Sequence, residues 1–295
     1  MAVRFGISPI GWSNDDLPEL GGDTPLEICL AEARLAGFEG IELGNKFPRD
    51  PAVLRPIMER HELSLISGWY SGHLLERSVP EEWAAIEAHH ALLVAMGCAV
   101  LVYAEASGSI ASDRCRPLSA RPGLSAGGWW DFGGRLTELA ERLLQYGIRL
   151  AYHHHVGTVV ESEAEIDRLM AVTGDGVGLL LDTGHLAFAG ADPTILARRY
   201  GHRIAHVHCK DVRRDILASV RAGDASFLDA VLDGVFTVPG DGCIDFGGVL
   251  AALAVADYSG WLVVEAEQDP AKASPLVYAR LGFGHLSAAV ARAGL

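Results

Sequence analysis

Eight short β-rich runs, each followed by a longer amphipathic stretch, recur along this chain, and that alternation restricts its fold more than any other feature. The strand-like runs are Arg4–Ile10, Gly40–Gly44, Leu63–Tyr70, Ala99–Ser107, Arg149–His155, Val177–Thr183, Ile204–Lys210 and Gly260–Glu267. Several are almost continuously apolar, as in Val177-Gly178-Leu179-Leu180-Leu181, which suits a strand buried on both faces. The stretches between them, Pro25–Ala36, Pro51–His61, Pro80–Met96, Gly134–Tyr146, Glu163–Val172, Pro193–Tyr200, Phe246–Ala256 and Pro275–Ala293, read as helices. Several open with a cap-type residue before proline, as in Asp50-Pro51 and Asp192-Pro193, and several close at glycine, as in Ala36-Gly37. Eight such units in 295 residues predict an α/β fold, a (β/α)8 TIM barrel forming a single domain over residues 1–295. A doubly wound sheet is the alternative, but Gly6-Ile7-Ser8-Pro9 stands where its GxGxxG would follow strand 1.

Charge and cysteine usage narrow the partners. Lys and Arg total 24 against 38 Asp and Glu, for a net charge of −14, and no basic run offsets it. Such a chain repels phosphate backbones, so no nucleic-acid partner is expected. No apolar stretch reaches the ~20 residues needed to span a bilayer, so no membrane partner is expected either. The Met1–Gly6 run lacks a leader pattern, and five cysteines without CxxC spacing suit reduced thiols, so the expected location is cytoplasmic.

Six of twelve histidines (His153, His154, His155, His185, His206, His208) fall at or just past the ends of strands 5, 6 and 7. In a barrel those ends converge on the active-site mouth. Strand 6 closes on Asp182-Thr183-Gly184-His185, strand 7 on His206-Val207-His208-Cys209-Lys210-Asp211, and strand 8 on Glu265-Ala266-Glu267. Each piece alone has a structural explanation: a hydrogen-bonded core imidazole, a turn aspartate, an ion-paired glutamate. Four adjacent strands ending in ligand-type residues favour a site for a borderline divalent ion such as Mn²⁺, Co²⁺, Zn²⁺ or Fe²⁺. Glu42 at the end of strand 2, Asn14-Asp15-Asp16 after strand 1 and Trp69-Tyr70-Ser71-Gly72-His73 after strand 3 extend the pocket, and the aromatic residues could equally be core packing.

With these motifs assembled, the chain resembles the xylose-isomerase-like (sugar phosphate isomerase/epimerase) barrel superfamily, and within it the inosose dehydratases of inositol catabolism. The most specific segments are Gly6–Pro25, Gly40–Pro48 and Trp261–Pro270. The Asp182/His185 and His208/Asp211 patterns belong to the whole superfamily and identify the barrel rather than the reaction. The resemblance implies a hydro-lyase that dehydrates scyllo-inosose, a cyclitol ketone, to a trihydroxycyclohexane-1,2-dione. It also implies a divalent metal, Mn²⁺ or Co²⁺, and glutathione as an accessory thiol. The superfamily's ion is held by Glu, Asp, His and Glu from strands 5 to 8, and three of these carry over to Asp182, His208 and Glu265. Strand 5 offers no carboxylate, and His153 occupies the position, so His153 is the expected fourth ligand, with His155 on the same face and His154 on the other.

Dehydration beside a ketone needs an α-proton removed, an enolate held and a hydroxyl protonated as it leaves. The catalytic candidates are His185, to polarise the carbonyl or shuttle the proton, with Glu265, Lys210 and Glu42. A keto-sugar isomerase or epimerase on the same barrel is the alternative, disfavoured by the missing strand-5 carboxylate. An abasic-site endonuclease is disfavoured by the charge, and an inert sugar-binding barrel would bind without turnover. The oligomeric state, a homo-oligomer included, stays open. Two long connections, Gly108–Trp130 and Val212–Asp245, stand out. The second, with a helix-like Phe227–Leu232, is expected to cover the site or to form an oligomer contact.

Overall fold

Residues 3–295 are described by a computed structural model; Met1 and Ala2, which begin the Met1–Gly6 run, lie outside the described residues. In chain order the elements are β1 Arg4–Ile7, α1 Leu26–Ala36, β2 Gly40–Leu43, α2 Pro51–Arg60, β3 Ser64–Gly72, α3 Val79–Met96, β4 Val100–Glu105, α4 Ala126–Leu144, β5 Arg149–His153, α5 Glu163–Val172 and β6 Gly178–Asp182. There follow α6 Thr183–Ala189, α7 Pro193–Tyr200, β7 Ile204–Cys209, β8 Asp211–Val212, α8 Arg214–Gly223, α9 Phe227–Leu232, β9 Phe236–Thr237, α10 Phe246–Val255, β10 Trp261–Val264 and α11 Pro275–Ala293. Strands β1–β7 and β10 are parallel and close into a barrel, β10 pairing with both β7 and β1. This is the TIM barrel read from the sequence, and it excludes the doubly wound sheet.

Local chemistry sets the helix starts. Asp50 and Asp192 accept from the amides of Ala52 and Thr194, each at 2.8 Å, with proline at the first helical position. Ser162 and Glu165 cap α5 reciprocally. Helix α1 stops at Gly37, whose φ of 110° suits glycine and whose missing Cβ leaves room for the Phe283 ring.

The barrel interior is layered. At its floor, Gly6 and Gly40 admit Ile66 and Trp261, since a Cβ on Gly40 would fall 2.4 Å from Ile66. Val100, Val102, Ala151 and Leu180 pack together above this floor. Two residues beyond Ala151, Leu180 and His206 on their strands, His153, Asp182 and His208 reach the carboxyl end, with Leu180 opposite both His153 and His206, and Asp182 opposite His208. Period-two alternation thus lifts polar residues above an apolar plug.

The departures from sequence expectation lie in the connections. Helix α4 starts at Ala126 rather than Gly134, because burial of Trp129 and Phe132 outweighs the glycines at 127, 128, 133 and 134. Helix α6 was not expected; it begins directly after β6, with Asp182 capping it by accepting from the His185 amide at 2.8 Å. The 212–245 excursion is not a free loop. It contains α8 and α9, and the β8–β9 pair ties its start to Phe236 and Thr237. Asp211 fastens the return by accepting from the amides of Gly240, Gly242 and Ile244 at 3.0–3.1 Å.

Helix α3 carries a built-in acid sensitivity. His89 lies against Gly68 and Tyr70, and its Nε2 has no hydrogen-bond partner. Burial pushes its pKa down to about 4. The unfolded chain takes up a proton on His89 near pH 6.5 and the folded chain only near 4, so stability falls as pH drops through that window. Between pH 7 and 4.5 the native protein is expected to lose about 2–3 kcal/mol more stability than His89→Gln. Urea titrations at the two pH values check this, and equal losses would remove His89 from the account.

Candidate active site

A cavity of about 500 Å³ opens at the carboxyl end of the barrel, a size suited to a small ring-shaped polyol. Its wall includes Asp16, Glu42, Trp69, His153, His155 and His208, with Glu265 and Glu267 on the β10 side. His153 and His155 both face it, at ring distances of 5.2 and 5.7 Å from Trp69. His154 turns away and its Nε2 accepts from the Asp182 amide at 3.4 Å, so the alternation expected for strand 5 holds.

Ligand-type atoms of His153, Asp182 and His208 converge beneath the cavity, all within 4.8 Å of one another. His153 Nε2 and His208 Nδ1 lie 3.4 and 3.5 Å from Asp182 Oδ2, and His208 Nδ1 also touches Glu265 Oε2. Asp182 Oδ2, His208 Nδ1 and Glu265 Oε2 are buried without a hydrogen-bond partner, which is costly unless something positive sits among them. The imidazole tautomers agree with that reading. His153 Nδ1–H donates to the His154 carbonyl at 2.6 Å, which frees the Nε2 lone pair. His208 Nε2–H donates to Glu42 Oε1 at 3.1 Å, which frees Nδ1. Against its burial, Glu265 and Glu42 hold the His208 pKa well above the usual imidazole range, so without another cation it supplies the positive charge itself.

Glu42 anchors this arrangement. Its Oε1 accepts from His208, from His206 at 3.0 Å and from Ser67 Oγ at 2.5 Å. Burial alone would raise its pKa, but His208 and His206 hold the carboxyl well below the usual range. Glu42, expected as a catalytic helper, lines the cavity while its Oε1 is occupied by His206, His208 and Ser67. Glu42→Gln is expected to weaken metal affinity about 10–100-fold while the fold persists, measured by competition with a fluorescent chelator. Unchanged affinity would leave His208 oriented by other contacts.

A second group sits behind the wall. Lys210, fully buried, donates to Glu267 Oε1 at 2.6 Å, lies 3.0 Å from His185 Nε2 and pairs with Glu265 Oε1 at 2.9 Å. His185 stacks behind His155 with ring centroids 3.9 Å apart, against Phe227 and Phe236. Neither His185 nor Lys210, both expected as catalytic candidates, is among the residues lining the cavity, whereas His155, against which His185 packs, is. Phe227 and Phe236 come from the 212–245 excursion, part of which therefore packs behind His155 and His185.

Two acids received too little weight from the sequence. Asp16 is directed to the cavity by an Asx turn in which Asn14 Oδ1 accepts from the amides of Asp16 and Leu17 at 2.8 and 2.9 Å. Burial in the pocket wall, with Glu267 and Asp15 nearby, raises its pKa to about 6. Glu105 closes the apolar run Val100–Ala104 and is buried, accepting from the Leu74 and Ser107 amides and Tyr103. An acid ending an apolar strand is the signal that marked Asp182, and it was present here too.

The model of the xylose isomerase-like TIM barrel family matches residues 30–286. The chain belongs to that family. A rhizopine catabolism protein, MocC of Rhizobium meliloti, is 53% identical over 100% of this chain and 90% of its own length. An inosose dehydratase of Geobacillus thermodenitrificans is 46% identical over 94% of each chain. Among solved structures, the IolI protein with a bound zinc atom superposes with a TM-score of 0.66 at 17% identity, covering 99% of this chain and 98% of its own. At that identity the likeness concerns the fold.

Proposed function

We propose that this chain is a divalent-metal-dependent inosose dehydratase, a hydro-lyase that takes water from scyllo-inosose and gives a trihydroxycyclohexane-1,2-dione. The observation that carries the reading is the convergence of His153, Asp182 and His208 under a sugar-sized cavity, with Glu265 Oε2 against His208 Nδ1. Inosose dehydratases at 46% and 44% identity over nearly the whole chain support it. Two carboxylate oxygens and two neutral imidazoles suit a borderline ion, with Mn²⁺ or Co²⁺ proposed, and the two anionic charges match a divalent one. When bound, such an ion would supply a Lewis acid for the ketone oxygen and its developing negative charge.

The chain's own residues then move the protons. His155 Nδ1–H donates to the Val156 carbonyl at 2.8 Å, leaving an Nε2 lone pair on a ring that lines the cavity. Burial, with His185 and His153 beside it, holds its pKa well below the usual range, so it is a neutral base near pH 7. His155 takes the α-proton. Asp16, with a pKa near 6, retains protonated population at neutral pH and gives its proton to the departing hydroxyl, which leaves as water. The enol left behind tautomerises to the dione. His185 and Lys210 hold His155 and Glu265 in place from behind. Trp69 closes the side of the pocket next to both strand-5 imidazoles.

The test is incubation of the Mn²⁺-loaded protein with scyllo-inosose and identification of the product by NMR and mass. Loss of 18 mass units with a diketone spectrum is expected on the basis of the water balance. An isomerised ketose at unchanged mass would replace the dehydratase with the keto-sugar isomerase or epimerase reading.

A further inference from the structure

His155, His185 and Glu267 form a second metal-compatible triad, their ligand atoms within 4.8 Å of one another, beside the centre already described. All three are buried, and Glu267 Oε2 has no hydrogen-bond partner. Two imidazoles and a carboxylate at that spacing are a familiar ligand set for zinc or manganese. The chain has placed its own cation there. Lys210 Nζ contacts Glu267 Oε1 at 2.6 Å, Glu265 Oε1 at 2.9 Å and His185 Nε2 at 3.0 Å, and lies 3.7 Å from Asp182 Oδ2.

The lysine is built in along its length. Its amide donates to Thr183 Oγ1 at 3.1 Å, and that hydroxyl donates to the Lys210 carbonyl at 2.7 Å. Its methylene stem runs over Gly184, where a Cβ would fall 2.5 Å from Lys210 Cγ. Phe236 covers the ammonium at 4.8 Å from its ring centroid. Glu267, Glu265 and Asp182 surround the ammonium and balance its charge.

We propose that the Lys210 ammonium occupies the position of a second divalent cation, keeping the centre mononuclear, and that removing it converts the His155–His185–Glu267 group into a second metal site. The inference rests on the metal centre proposed above. An ammonium carries one charge and cannot accept an electron pair, so it balances Glu267 without competing for the substrate oxygens. A second ion would also draw the His155 Nε2 lone pair away from proton transfer.

Metal stoichiometry tests this without reference to turnover. After equilibrium dialysis against Zn²⁺ and elemental analysis, the native chain is expected to hold one ion, Lys210→Ala two, and Lys210→Ala/Glu267→Gln one. Circular dichroism confirms folding, and Lys210→Met serves if the alanine variant does not fold. One ion in both the native chain and the folded Lys210 variant overturns the inference while leaving the first centre standing. No ion in the native chain overturns the first centre, and the inference with it. The single variant Glu267→Gln gives an independent check: it is expected to keep its one ion, and loss of that ion would mean that the resident ion sits at the second group instead.

Discussion

Asp182→Asn will leave the barrel folded, empty the metal centre and lower kcat/KM by about three orders of magnitude or more. Asp182 has two separate tasks. Its Oδ1 caps α6 by accepting from the His185 amide at 2.8 Å, and its buried Oδ2 faces His153 Nε2 and His208 Nδ1. Asparagine keeps an oxygen for the cap and removes the anionic charge, whereas Asp182→Ala loses both and is expected to cost about 1 kcal/mol more in stability. Elemental analysis, thermal melting and steady-state kinetics on the two variants separate these effects. Full metal occupancy in Asp182→Asn would remove Asp182 from the ligand set.

His155→Gln is expected to keep one ion per chain, change KM little and lower kcat about 10²–10⁴-fold, the usual worth of a positioned general base. The expectation rests on its place: it lines the cavity with a free Nε2, while Nδ1 is held by the Val156 carbonyl. His153→Gln should behave differently, losing metal affinity first, because its Nε2 points at Asp182. If His155→Gln loses the ion and His153→Gln keeps it, the two strand-5 roles are exchanged. If His155→Gln keeps both ion and rate, the base is another group.

The sequence revealed the strands because each is an apolar run bounded by caps and glycines, and a closed parallel barrel buries both faces of every strand. The proposed ligand set was legible for the same reason: a polar residue ending such a run can only project at the carboxyl end of the barrel. What stayed hidden depends on contacts across the barrel. Glu42 looked like a free helper, yet it is spent on His206 and His208, 164 and 166 residues away in the chain. His185 looked like a strand-end proton carrier, yet the unexpected helix α6 carries it behind His155. Helix α4 began earlier than expected because buried aromatic side chains can hold glycine-rich turns helical, an effect invisible to local propensity.

The most direct measurement is an anomalous-difference map from crystals of the native protein grown with Mn²⁺ or Co²⁺. One peak is expected per chain, bonded to His153 Nε2, Asp182 Oδ2, His208 Nδ1 and Glu265 Oε2. A peak lodged instead among His155, His185 and Glu267, or no peak at saturating metal, would contradict the assignment on which the proposed chemistry depends.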